Sequence, residues 1–295
     1  MTRVAAVDLG TNSTRLLVAD VEDGAVDEVV RRTVVTRLGE GVDARRKLLP
    51  VPVARVRNVL SDFRREAEAL GAERTLAVAT SAVRDAENGE AFLGEVEWSY
   101  GFATRLLSGD EEAALTRAGV GRVAADTLLL DVGGGSTELV AGEWRTSLDI
   151  GSVRVTERHL HSDPPTGEEL ATAAGAVHRL LPSLDVRAAV GVAGTVGQLA
   201  VLLGGGTMRL SQIEGLLDRL AAMTLEERRA LPGLDPARAP VIVGGALIVR
   251  EVLRRYDLDA IEFSVRDLLD GAALAAADLP AQDEGAAPPG AYTCC

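Results

Sequence analysis

One ten-residue pattern occurs twice in this chain, and that repeat limits the fold more than any other feature. Asp8-Leu9-Gly10-Thr11-Asn12-Ser13-Thr14-Arg15-Leu16-Leu17 aligns without a gap on Asp131 to Val140. Asp8 matches Asp131, and Gly10 matches Gly133. Ser13 and Thr14 match Ser136 and Thr137, and Leu16 matches Leu139. Each copy follows an apolar strand, Val4 to Val7 in one case and Thr127 to Leu130 in the other. Each then reads as a tight glycine turn and a returning strand. Copies this far apart are not a solenoid period. They predict two similar domains, each offering one phosphate-binding hairpin to a shared cleft.

The second copy shows what such a hairpin is for. Gly133, Gly134 and Gly135 remove every Cβ from the turn, so backbone N–H groups can point at an anion. Ser136 and Thr137 add hydroxyl donors. Asp131 and Glu138 flank the turn with carboxylates, which repel phosphate unless a divalent cation sits with them. Open amides, hydroxyls and two acids together predict metal–phosphate chemistry, with Mg²⁺ or Mn²⁺ on Asp131 and Glu138. In the first copy, Gly10, Thr11, Asn12 and Ser13 are the matching phosphate contacts. Asp8 is placed as a further metal residue, holding metal-bound water from the other side. The plain alternative is a glycine-rich hairpin with no ligand, and the repeat weighs against it.

Length and composition agree with two domains. The chain has 295 residues and is 47% hydrophobic with only 3% aromatics, so Val, Leu and Ala must fill the core. Alternating helix and strand patterns give an α/β class. The formal net charge of −13 argues against nonspecific nucleic-acid binding. The charge is uneven: residues 1–84 hold 14 basic against 12 acidic residues, and the remainder 17 against 32. A polyanion would therefore prefer the N-terminal domain, through a set near Arg45, Arg46, Lys47, Arg55 and Arg57. The alternative is solvated helix faces. Cys294 and Cys295 are the only cysteines and give no disulfide framework or metal site. No signal peptide is visible, so a reducing, cytoplasmic setting is expected. Ala188 to Gly206 is uncharged and long enough to suggest a membrane span. Its six glycines, Thr195 and Gln198 favour strand–turn–helix instead.

The order of motifs points to a family. AVDLGTNSTRLLVAD, LGEGVD, ATSAVRDAENG, LLSGDEEAALTRAGV, LLDVGGGSTELV, GVAGT and LPGL run over nearly the whole chain. The hairpin pair resembles the actin/hexokinase/Hsp70 superfamily. Within it the chain is similar to the exopolyphosphatase and guanosine pentaphosphate phosphohydrolase (Ppx/GppA) family. DVGGGSTEL together with SGDEEA is far more specific than either alone. The resemblance implies a two-domain actin-like fold with an interdomain cleft. It also makes Glu112 catalytic, because the second glutamate of SGDEEA has that role in the family. From the residues alone, Glu111 and Glu112 are equally ordinary acids of a helix start, facing about 100° apart.

Arg84 follows the strand Leu76 to Ala79 in a segment predicted to open a helix, a natural anion position. The resemblance implies the same role, and the alternative is a surface arginine paired with Asp85 or Glu87. Val190 to Thr195 is a strand entering a glycine turn. In nucleotide-using relatives this region holds adenosine, and here Gly194 and Thr195 are assigned to distal phosphates. His159 and His161 lie two apart without a third nearby ligand and are discounted as a metal pair.

The expected domains are 1–122 and 123–279, followed by a disordered tail at 280–295. The expected activity is metal-dependent release of terminal orthophosphate from inorganic polyphosphate, short chains preferred. Guanosine pentaphosphate hydrolysis is the runner-up, and a non-catalytic polyphosphate or nucleotide sensor is the reading from another class. No G-x-x-x-x-G-K-S/T segment is present, which excludes a P-loop enzyme. No membrane or nucleic-acid partner is expected, and a homodimer is left open. Two departures from the family stand out. The resemblance implies a short form, without the long members' helical C-terminal region and its HD-type domain. Ser264 to Gly271 also replaces a more glycine-rich stretch.

Overall fold

The computed structural model describes residues 1–280. In chain order the first part contains β1 (Thr2–Leu9), β2 (Ser13–Glu22), β3 (Ala25–Val35), α1 (Val42–Arg45), α2 (Pro50–Ala69), β4 (Arg74–Ala79), α3 (Ser81–Arg84), α4 (Gly89–Tyr100), β5 (Ala103–Leu106) and α5 (Gly109–Val120). The next part contains β6 (Thr127–Val132), β7 (Thr137–Ala141), β8 (Trp144–Leu148), α6 (Ser152–His159), α7 (Gly167–Leu180), β9 (Ala188–Val192), α8 (Ala193–Leu203), β10 (Thr207–Arg209), α9 (Leu210–Ala221), α10 (Leu225–Arg229), α11 (Ile242–Arg255) and β11 (Ala260–Phe263). The last element is α12 (Leu268–Ala277).

Two compact units result among the described residues: Met1–Val120 with Leu268–Pro280, and Gly121–Asp267. Each has its own sheet. The first runs β3-β2-β1-β4-β5, and the second β10-β11-β9-β6-β7-β8. Counted from their first strands, both follow one plan: a hairpin and a third strand on one side, parallel strands on the other. The second sheet adds only β10 at its edge. This duplicated plan is the two-domain actin-like α/β fold.

In the first unit β1 is buried on both faces, as strands between helical layers must be. Ala5, Val7 and Leu9 belong to the core that holds Val56, Leu60 and Phe63 of α2 and Phe92 and Val96 of α4. Val4 and Ala6 alternate onto the opposite core with Leu268, Leu269, Ala272, Ala273 and Ala276 of α12. In the second unit one core joins Leu128 and Leu130 of β6 to the apolar faces of α7, α8, α9 and α11.

The structure corrects the expected boundary at the C-terminal end. The sequence reading kept residues through 279 in the second domain, but α12 packs on the first unit. Four small residues explain this. Gly271 lies so close to α5 that a Cβ there would collide with the Leu115 carbonyl. Ala272, Ala273 and Ala276 let the helix sit flat on the sheet. Arg31 of β3 reaches Asp270 at 2.9 Å, and Arg74 of β4 donates to the carbonyl of Ala277. The tail expected at 280–295 lies, from 281 on, outside the described residues.

Candidate active site

The second hairpin is held from behind by a helix. Gly133 N–H closes the turn on Ser136 O at 3.0 Å. The first amides of α6 then bind the turn's carbonyls: Ser152 N–H to Gly133 O (2.9 Å), with Val153 and Arg154 N–H to Gly134 O (2.8 and 3.1 Å). Arg154 Nε donates to Gly135 O at 2.7 Å. A trans peptide points its N–H opposite its C=O. With these carbonyls turned toward α6, the amides of Gly134, Gly135 and Ser136 face away from it, open to an anion. Gly151, just before α6, permits this approach, since a Cβ there would overlap Gly134 and Gly135. Thr137 has a different job from the one expected of its hydroxyl. That hydroxyl donates to Ile150 O and fixes the chain entering α6.

The first hairpin repeats the device with other parts. Gly10 N–H closes on Ser13 O at 3.1 Å. Thr11 O accepts from Gly39 N–H (2.8 Å), and Asn12 O accepts from Thr36 and Arg37 N–H (3.1 and 2.9 Å). The amides of Asn12 and Ser13 therefore face away from the 36–39 loop. Gly39 is glycine because a Cβ would strike Thr11. Asn12 is buried, and its Oδ1 has no partner among the described residues, a polar atom that folding alone leaves unsatisfied.

The two hairpins differ in charge at one register position. Asp131 stands directly across the ladder from Glu138, and both are buried. Ser147 donates to Glu138 Oε1 at 2.7 Å. Like charges opposite each other in a ladder are unfavourable, and burial raises the penalty. A divalent cation relieves it, and carboxylate oxygens are what a hard cation takes. The donor set therefore fits Mg²⁺ or Mn²⁺. Among the described residues no cluster of three or more His, Cys, Asp or Glu could hold a metal. An ion on this pair would complete its shell with water and substrate, as Mg²⁺ commonly does. In the first hairpin Asp8 stands across from Arg15, and the two form a buried ion pair at 2.8 Å.

The structure separates the neighbours Glu111 and Glu112. Glu111 closes a reciprocal cap with Ser108. Its carboxylate accepts from the Ser108 N–H and hydroxyl at 2.9 and 2.8 Å, while its own N–H reaches the Ser108 hydroxyl at 3.3 Å. It also receives Arg105. Arg105 and these contacts hold its carboxyl well below the usual carboxylate range, at about 2. Glu112 is turned inward and buried, with Oε2 3.2 Å from Arg84 Nη1. The same Arg84 nitrogen donates to Leu107 O at 2.8 Å. Arg84 thus meets Glu112, an acid that the plain alternative did not name. The helix expected to begin here is only the single turn α3, with Arg84 at its end. Its Ala82 amide is already bound to the Thr11 hydroxyl at 3.2 Å.

Gly194 and the buried Thr195 lie in the first turn of α8, which opens on Ala193 in a left-handed conformation (φ 61°). The Arg238 guanidinium lies directly over Gly194, where a Cβ would strike it. A cation therefore stands at the turn assigned to distal phosphates. Sequence reasoning missed Arg238, Gly151, Arg154 and the meaning of Arg15. Only Arg15 left a signal, as the basic residue aligned with Glu138 in the repeat.

These hairpins, on this duplicated fold, define a phosphate-handling enzyme class. A model of the Ppx/GppA phosphatase family matches residues 17–278, and the chain belongs to that family. It is 41% identical to exopolyphosphatase 2 of Mycobacterium tuberculosis, across 94% of this chain and 99% of that protein. It is 31% identical to exopolyphosphatase 1 of the same species, across 91% of this chain and 86% of the relative. Among solved structures, an exopolyphosphatase-like protein superposes with a TM-score of 0.86 at 33% identity, covering 93% of this chain and 97% of the other. The Ppx/GppA enzyme of Aquifex aeolicus superposes with a TM-score of 0.77 at 29% identity, covering 93% and 99%. No helix among the described residues is long and apolar enough to cross a membrane; in place of the expected strand–turn–helix, β9 runs directly into α8, which ends at Leu203.

Proposed function

We propose that this chain releases terminal orthophosphate from inorganic polyphosphate, with Mg²⁺ or Mn²⁺ on Asp131 and Glu138. The observation that carries the reading is the buried cross-strand pair of carboxylates beside outward-facing amides. Such a site suits a phosphoryl group that arrives with a cation. The names of the relatives favour polyphosphate over guanosine pentaphosphate.

A phosphoanhydride resists water because its charged oxygens repel a nucleophile. The amides of Gly134, Gly135 and Ser136, the Ser136 hydroxyl and the amides of the first hairpin take phosphate oxygens. Arg84 adds a cation. A bound divalent ion would neutralise further charge on those oxygens. Glu112 orients a water and accepts its proton as the oxygen bonds to the terminal phosphorus. The bridging P–O bond breaks, and the electron pair leaves on the shortened chain. Arg84 fixes the Glu112 carboxylate and offsets part of the cost of burying it. Gly194, Thr195 and Arg238 would hold phosphates further along.

Purified protein would be incubated with polyphosphate or guanosine pentaphosphate, each with Mg²⁺ or with EDTA, and phosphate release followed. Release from polyphosphate that stops in EDTA is expected. Faster release from guanosine pentaphosphate, full activity in excess EDTA, or no release at all would each overturn the reading.

A further inference from the structure

Three strand ends of the first unit emerge side by side, because β1 pairs with β4 and β4 with β5, all parallel. The first hairpin follows β1, the single turn α3 follows β4, and the start of α5 follows β5. A helix of four residues cannot hold itself in place. Its first amides also need acceptors, and the N-cap residue Thr80 makes no side-chain hydrogen bond to them. The acceptor comes from the hairpin instead: Ala82 N–H donates to the hydroxyl of the buried Thr11 at 3.2 Å. The Thr11 methyl has its own seat against Gly39, where a Cβ would strike it. With methyl and hydroxyl both assigned, the threonine has one rotamer to occupy. Two residues beyond Ala82, Arg84 ends α3. Its Nη1 donates to Leu107 O at 2.8 Å and to Glu112 Oε2 at 3.2 Å.

We propose that Thr11 is a positioning residue for Glu112. Its hydroxyl seats α3 on the first hairpin, α3 seats Arg84, and Arg84 seats the Glu112 carboxylate. The place of the base relative to the hairpin amides is thereby set by a side chain that acts only through other residues. Phosphate oxygens are left to the amides of Asn12 and Ser13. In the sequence Thr11 reads as one more hydroxyl for phosphate; its bond to Ala82 N–H points to this other use. The role rests on the proposed reading of Glu112 as the base.

Thr11→Val removes the hydroxyl and keeps the shape, while Thr11→Ser keeps the hydroxyl. Each variant would be assayed for phosphate release from polyphosphate, with kcat and KM resolved and orthophosphate as a competitive inhibitor. Thr11→Val is expected to lose about 10–10²-fold in kcat, the scale for a misplaced catalytic group, with KM and phosphate inhibition unchanged. Thr11→Ser should restore most of kcat. In a Glu112→Gln background Thr11→Val should bring no further loss, since a residue that acts through the base has nothing left to act on. A raised KM and weakened phosphate inhibition with kcat kept would make the hydroxyl a phosphate contact and overturn the inference. Full activity in Thr11→Val, or an undiminished loss in the Glu112→Gln background, would overturn it too. Those results leave the hydrolase reading intact, whereas a wild type that releases no phosphate overturns both. If Thr11→Val does not fold, Thr11→Ala compared with Thr11→Ser isolates the same hydroxyl and decides the matter.

Discussion

Glu111 and Glu112 are adjacent, chemically near-identical and opposite in role. Glu111 is occupied by Ser108 and Arg105, so it starts α5. Glu112 is turned inward onto Arg84. Glu112→Gln is expected to fold normally and lose about 10²–10⁴-fold in turnover, the usual effect of removing a positioned base. Glu111→Gln should keep turnover. If the two variants behave the other way round in a phosphate-release assay, Glu111 is the base. The cap also predicts a pH effect. A carboxyl held near 2 against an ordinary 4.5 stabilises the fold above its ordinary value, and loses that contribution as pH falls toward 2. The melting temperature should therefore drop more steeply in acid for the wild type than for Glu111→Gln. At this scale the facing of Asp131 and Glu138 across the glycine turn was legible in the sequence. The sequence could not distinguish two like neighbours, because only the helix's seat on its sheet decides which one turns inward.

Elements were legible where hydrophobic period and glycine agree. The hairpins and α2 read directly from pattern. By contrast, α6 did not. Val153 and Val155 alternate with Arg154, which suggests a strand, and the helix forms because its first amides have carbonyls of the glycine turn to bind. Gly151 is the joint of that arrangement. Gly151→Ala should push α6 off the turn and destabilise the fold by about 1–3 kcal/mol, the usual scale for overpacking. It should also weaken competitive inhibition by orthophosphate, since the turn amides would no longer be fixed. Unchanged inhibition in a destabilised variant would show that α6 supports the fold without aiming the amides. The misplaced α12 has a similar lesson. Its alanines and glycine name no partner, and only three-dimensional packing shows which sheet they cover.

For the whole molecule, charge bears on how a long substrate is held. Much of the predicted basic track is neutralised from within. Arg55 binds Glu40, Arg57 binds Glu95, and Lys47 faces Glu87. Arg45 and Arg46 remain exposed on a chain of net charge −13. Such a grip is electrostatic and weakens with salt. Short polyphosphates should therefore be preferred, and partly digested long polyphosphate should run as a ladder of intermediate lengths on a gel. Long chains that vanish without intermediates would show processive hydrolysis and an anion path that these residues do not supply.

The return of α12 to the first unit also sets an order of assembly at the ribosome. Residues 121–267 form one uninterrupted stretch and can close their own core as they emerge. The first unit, although made earlier, waits with the core around Val4, Ala6, Leu17 and Val78 only partly covered until Leu268–Ala277 arrives. The earlier-made half is thus finished after the later-made one. A nascent chain stalled before Leu268 would expose an apolar sheet face to chaperones and proteases, while the half made after it is already closed.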